Sequence, residues 1–241
     1  MMARDARIKR GGKVLGNTTY NYNHAFARGR IYKFLSLCFG YPEAGIFAYL
    51  KGKEFHKELG RVLNSLPDVD GLKGQVGSTM KSMEESLKRI SFQEVESTYI
   101  SMFVANFPVV PCPPYSSLYT VMDDSKRPEE IIKIKDFYRK YGLDISKDFK
   151  DLPDHIYVEM ELMHFLCFRE AEAWRNEDHK GVKDCLKGEK DFLGDFLGRC
   201  ISPFWEAVRD KGGNNVFTHL SGLAKDFVLY DEGLLNMMKG Y

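Results

Sequence analysis

The chain has 241 residues, 44% of them hydrophobic and 29% charged, and its 35 basic and 34 acidic side chains leave a formal net charge of +1. Such a length and balance suit a soluble globular protein with a substantial core; near-neutrality argues against a nucleic-acid binder driven by bulk charge. No apolar run reaches the length needed to span a bilayer, and no apolar segment of the secretory kind follows the basic N-terminus, so the expected location is the cytoplasm.

The first twenty residues hold Arg4, Arg7, Lys9, Arg10 and Lys13 against Asp5 alone. This pattern predicts a flexible basic arm over 1–20, with contact to an anionic partner as the alternative, and a folded domain over 21–241. Cys38, Cys112, Cys167, Cys185 and Cys200 form no CxxC pair. An odd number at scattered spacing reads as reduced cysteines, Cys38 and Cys167 being small core hydrophobes.

From there the periodicity is helical. Ile31, Phe34, Leu35 and Cys38 share one helix face, and Gly40 and Pro42 stop that helix. A short helix is predicted over Ile46–Leu50 and another around Phe55–Leu66, ending at Pro67. Glycine-rich residues 71–77 read as a loop leading into a helix that ends near Ile90. Ser91-Phe92-Gln93-Glu94 is a capping box, and Val95, Tyr99, Met102 and Phe103 line one face behind it. The tract VVPCPPYSSLY (109–119) is predicted to be extended, because proline fixes φ and lacks an amide proton.

A helix starting after Pro128 ends at Gly142, and a polar linker over 144–151 leads to LPDHIYVEMEL (152–162). Asp154 is placed there as the N-cap of a long helix whose stripe is Ile156, Met160, Met163, Cys167, Ala171 and Trp174. Further helices are expected around 181–197, from Pro203 to Arg209 and from Val216 to Leu229. No convincing strand is found. The fold class is all-α, one compact multi-helix domain with two lobes meeting near 142–155.

Acid, imidazole and carboxylate stand close together at Asp154, His155 and Glu159. Glu161 and His164 form a Glu-x-x-His, but a four-helix di-iron site needs a second copy, which is missing. His155 and Glu159 lack the His-Glu-x-x-His of zinc hydrolases. No Gly-x-Ser-x-Gly elbow, Walker loop or dinucleotide fingerprint is present. On the residues alone the junction is either a capped helix start or a place to grip a ligand. The rival reading, a helical metal- or nucleotide-dependent enzyme using His155, Glu159, Glu161 and His164, stays open at this point.

LPDHIYVEMELM resembles the Asp-His-Ile-x-x-Glu-Leu-x-Phe-Met signature of the TorD/DmsD/NarJ-type chaperones, and PCPPYSSLY resembles their Pro-Pro-aromatic-x-Ser-Val-Tyr tract. The flanks RIYKFLSLCFGYPE and FLGDFLGRCISPFWEAV are similar to that family's helices, extending the likeness to about residues 24–230. Leu152 departs from the family's usual acidic residue, Met160 from leucine and Leu162 from phenylalanine, and Asn106-Phe107-Pro108 stands where a Gly-Pro is usual. The resemblance implies an all-helical TorD-like fold and no catalytic turnover; neither a cofactor nor a metal is expected. Its implied partners are the twin-arginine signal peptide and the apoprotein of a molybdenum-cofactor reductase subunit, held until cofactor is inserted, with a homodimer by segment exchange as a further possibility. The implied peptide-binding residues are Asp154, His155, Glu159, Pro114, Tyr115, Ser117 and Tyr119. A twin-arginine peptide calls for carboxylates beside an apolar groove. Glu161 is the additional acid, and Phe103 and Met163 are candidate groove linings, with ordinary core as the alternative for Met160 and Met163.

Overall fold

The computed structural model describes residues 13–15, 18–146, 149 and 151–238. Arg4, Arg7, Lys9 and Arg10 of the basic arm lie outside the described residues. Where that arm meets the domain, Lys13–Leu15 (β1) pairs antiparallel with Thr18–Tyr20 (β2). Strands of three residues are too short to show the alternation that identifies a strand in sequence, so this hairpin was not foreseen.

The remainder is helical. Tyr22–Phe39 (α1) is followed by Ala44–Leu50 (α2), Lys53–Ser65 (α3) and Leu72–Arg89 (α4). Next come Phe92–Tyr99 (α5), Ser117–Thr120 (α6), Arg127–Lys140 (α7) and Ile156–Arg175 (α8). His179–Phe192 (α9), Gly198–Gly212 (α10) and Val216–Met237 (α11) complete the chain. The capping box at Ser91 forms as expected: Ser91 N donates to Glu94 Oε2 at 2.8 Å and Glu94 N donates to Ser91 Oγ at 3.2 Å. Asn21 caps α1 in the same manner, with His24 Nδ1 taking the part usually played by a glutamate.

Three expectations need correction. Residues 72–77 are not a loop. They begin α4, and Gly71, with φ of +78°, is the residue at which the chain turns into the helix. Val76, Met80, Met83 and Leu87 form a buried stripe along α4, which packs on α11, so tertiary burial outweighs the weak helix propensity of Gly74 and Gly77. Pro203 does not start a helix. It lies inside α10, which continues α9 through a π-helical turn at Leu193–Leu197. The proline-rich tract is non-helical only as far as Tyr115: the Ser116 backbone is already helical, and the single turn of α6 follows.

Helix α1 packs on α8, α8 on α9, and α11 on both α4 and α10. The predicted stripes are buried in full: Ile31, Phe34, Leu35 and Cys38 on α1, and Ile156, Met160, Met163, Cys167, Ala171 and Trp174 on α8. Met160 and Met163 are therefore core residues, and Phe103 joins them in the same continuous core. All five cysteines are free and buried. The α1–α8 approach is close enough that a Cβ on Gly29 would lie 3.2 Å from Cys167 Cβ, which makes glycine the residue that fits.

One arginine ties these helices together. Arg28 is fully buried. Its Nη1 lies 2.9 Å from Glu170 of α8, its Nη2 lies 2.5 Å from Glu189 of α9, and its Nε pairs with Asp231 of α11. Tyr20 OH donates to Glu170 at 3.1 Å and Tyr32 OH to Asp231 at 2.8 Å. The sequence carried a trace of this: Arg28 stands three residues before Ile31 and seven before Leu35, a charge on the apolar face.

Candidate functional site

The two motifs singled out in the sequence meet in the fold. Residues 114–116 run antiparallel to residues 154–156. Ser116 N donates to Asp154 O and Ile156 N donates to Pro114 O, each at 2.8 Å, with Tyr115 opposite His155. Proline on this short ladder costs nothing, because Pro114 contributes a carbonyl and needs no amide.

Side chains reinforce the backbone rungs. Ser117 Oγ donates to Asp154 Oδ2 at 2.6 Å, and Ser117 N reaches the same oxygen at 3.3 Å. Arg127 Nε donates to Ser117 Oγ at 3.2 Å, and Ser116 Oγ bonds Glu159 Oε1. Tyr115 OH donates to Asp151 at 2.7 Å, Tyr119 OH to the Pro113 carbonyl at 3.0 Å and Tyr138 OH to the Pro153 carbonyl at 2.8 Å. The seven residues expected at the site, Pro114, Tyr115, Ser117, Tyr119, Asp154, His155 and Glu159, thus belong to one cluster. Ser116, Arg127, Tyr138 and Asp151 are members that the sequence reading did not single out.

The helix start differs from expectation by one residue. His155, not Asp154, is the N-cap: its Nδ1 accepts from Tyr157 N at 3.2 Å, which frees Asp154 to face Ser117. Nδ1 is therefore unprotonated, and Nε2 points toward Asp151 Oδ2 at 3.8 Å, beyond hydrogen-bond length. Burial lowers the His155 pKa to about 4, with Asp151 working in the opposite direction, so the ring is neutral at physiological pH.

Asp154 and Glu159 are both fully buried, and each keeps one oxygen with no hydrogen-bond partner among the described residues, Oδ1 and Oε2 respectively. Burial raises the Asp154 pKa against the opposing Ser117 bonds. It pushes Glu159 up much further, with Ser116 opposing and the Asp154 and Glu130 charges adding to the rise. Meeting guanidinium groups directly would require exposed carboxylates. In this conformation both are enclosed, and what they do here is hold the proline tract to the start of α8.

The metal or nucleotide reading gains no convergence from the geometry. Glu159 turns to Ser116, Glu161 to Lys33, and His164 Nδ1 to the Gly29 carbonyl at 2.9 Å. Among the described residues no cluster of three or more histidine, cysteine, aspartate or glutamate side chains is arranged to hold a metal ion. None of the described helices is long and apolar enough to cross a membrane.

Beside the interlocked motifs lies a groove of about 410 Å³. One wall is the outer face of α8, with Tyr157, Val158, Leu162, Phe165 and Phe168; the other is the segment after α7, with Leu143, Ile145 and Phe149. Tyr115 and Tyr138 anchor the return of that segment at Asp151 and Pro153, so the motif cluster sets where the second wall stands. A sequence signal for the groove existed. Tyr157, Phe165 and Phe168 share the side of α8 away from its buried stripe, with Glu161 among them, and aromatic residues on a helix's second face signal further packing there.

The nitrate reductase delta subunit family model matches residues 70–206, more than half of the chain. A perchlorate reductase assembly chaperone protein from Dechloromonas aromatica (strain RCB) is 26% identical over 208 residues, covering 85% of this chain and 88% of that protein. The crystal structure of a candidate redox enzyme maturation protein from Archaeoglobus fulgidus is 19% identical, covers 90% of this chain and 99% of that one, and superposes with a TM-score of 0.46. The chain belongs to the nitrate reductase delta subunit family, the TorD/DmsD/NarJ-type assembly chaperones of redox enzymes, and is not itself a catalyst.

Proposed function

We propose that this chaperone binds the twin-arginine signal peptide of a molybdenum-cofactor reductase subunit in the groove that α8 forms with Leu143, Ile145 and Phe149. It holds the apo subunit in the cytoplasm until cofactor is inserted, and so delays export. The observation that carries this reading is the groove itself: aromatic and aliphatic walls enclosing about 410 Å³, with a carboxylate, Glu161, on the α8 side. Such a surface complements a peptide in which arginines precede an apolar run. In this reading Asp154, His155, Glu159, Pro114, Tyr115, Ser117 and Tyr119 shape the site from behind, by fixing the start of α8 and the return of the facing wall.

Calorimetric titration of the leader peptide into the purified protein tests the proposal. Phe168, 43% exposed on the groove wall, can be changed without disturbing the core. Phe168→Glu should weaken leader binding by about 1–3 kcal/mol, the range of an interface anchor, while leaving the unfolding midpoint near that of the wild type. Unaltered affinity in Phe168→Glu would remove the groove from the site.

A further inference from the structure

Of the α8 side chains that line the groove, Glu161 alone is a carboxylate, and it is already engaged from within the protein. Lys33 of α1 brings Nζ to 2.5 Å from Glu161 Oε1, and Ser36 Oγ donates to the same oxygen at 2.8 Å. Ser36 is buried, whereas the Lys33 and Glu161 side chains keep 42% and 34% of their exposure. The carboxylate therefore sits beside a buried hydroxyl, which lies equally close to the Lys33 carbonyl, and is neutralised by a partly exposed ammonium.

We propose that Lys33 is a built-in stand-in for an arginine of the incoming segment, and that binding exchanges the Lys33 ammonium for a peptide guanidinium at Glu161. The inference rests on the groove reading above and adds how the site chooses its ligand. An apolar segment laid along the groove would strand an unpaired carboxylate, which is costly once water leaves; Lys33 keeps Glu161 satisfied in the unliganded protein. Because the internal pair is partly exposed it contributes little and gives way readily. A guanidinium replaces it with a planar fork that can take both carboxylate oxygens and is less strongly hydrated than an ammonium. A peptide lysine would only exchange like for like, so the arrangement discriminates arginine from lysine at this point.

The test is titration of the full-length protein with a synthetic peptide of two adjacent arginines followed by an apolar run, and with its twin-lysine counterpart. Wild type should prefer the arginine peptide. Lys33→Met removes the competitor and should tighten arginine-peptide binding about 3- to 5-fold, the scale of an exposed pair. Lys33→Arg installs a stronger competitor and should weaken binding by about the same factor; it also decides the matter should Lys33→Met fold poorly. In a Glu161→Gln background both Lys33 effects and the arginine preference should vanish. Lys33 variants that both bind as wild type does, or a wild type indifferent between the two peptides, overturn the exchange while leaving the groove reading intact. A wild type that binds neither peptide overturns the groove reading and the exchange with it.

Discussion

At Arg28, three carboxylates from three helices close around one guanidinium; at the start of α8, Asp154 and Glu159 close around the hydroxyls of Ser116 and Ser117. Both places hide acids from water, but the means differ. Burial works against the Arg28 charge, yet the carboxylates of Asp231 and Glu189 hold the guanidinium well above its ordinary value. Burial still raises Glu170 and Glu189, with Arg28 opposing. Among the described residues no fully buried cation joins the motif cluster; half-buried Arg127 bonds Ser117 and acts on Asp154 only through its charge, and each acid keeps an oxygen with no hydrogen-bond partner among those residues. The first arrangement locks helices permanently. The second is held by hydrogen bonds from two serine hydroxyls, worth about 1 kcal/mol each.

The sharpest way to break this comparison is to remove the cation. Arg28→Met keeps most of the volume but leaves Glu170, Glu189 and Asp231 without their common partner. Loss of one member of a buried ion cluster costs about 3–5 kcal/mol, and urea unfolding should show a loss on that scale or no folded protein at neutral pH. The deficit should shrink on acidification, because the orphaned carboxylates then take up protons. A loss below about 1 kcal/mol would mean that the cluster behaves as a surface pair does.

A second experiment sharpens the other side. His155 is neutral in the fold because its pKa is lowered from 6.5 to about 4. The unfolded chain therefore binds the extra proton first, and the His155 contribution to stability is lost as pH falls from 6.5 toward 4. His155→Asn keeps an N-cap acceptor without a titrating ring. Wild type should lose stability relative to this variant by about 3 kcal/mol across that window, read as the difference between the two denaturation profiles. Parallel profiles would show that His155 titrates as freely in the fold as outside it.

What the sequence made legible was local. The stripe from Ile31 to Cys38, the stripe from Ile156 to Trp174 and the capping box at Ser91 rest on residues three or four positions apart, and the structure has all three. What it hid was non-local. Glycines within α4 read as a loop because the burial of Val76 and Met83 against α11 cannot be seen from residues 71–77. Asp154 read as a cap because its true partner, Ser117, stands far back in the chain on another element. The meeting of the two motifs was suggested by family resemblance, since nothing in their spacing brings 114–116 against 154–156. Lys33 and Glu161 are likewise ordinary surface charges until α1 and α8 are placed side by side.

A third experiment concerns Glu159, where the sign of the effect separates the two ways of burying an acid. Burial raises its pKa well above the ordinary carboxylate value, so the folded state keeps a proton that the unfolded chain has released. Stability from this group is present at low pH and is lost as pH rises through the folded pKa. Glu159→Gln retains the shape and the partnership with Ser116 but cannot ionise. Relative to wild type the variant should therefore gain stability steadily as pH rises above the ordinary carboxylate range. The same substitution at Glu170 or Glu189 would weaken the hold on Arg28 and should lose stability at neutral pH. A Glu159→Gln deficit that stays constant or grows with pH would place a charged carboxylate at Glu159 and make the two regions alike.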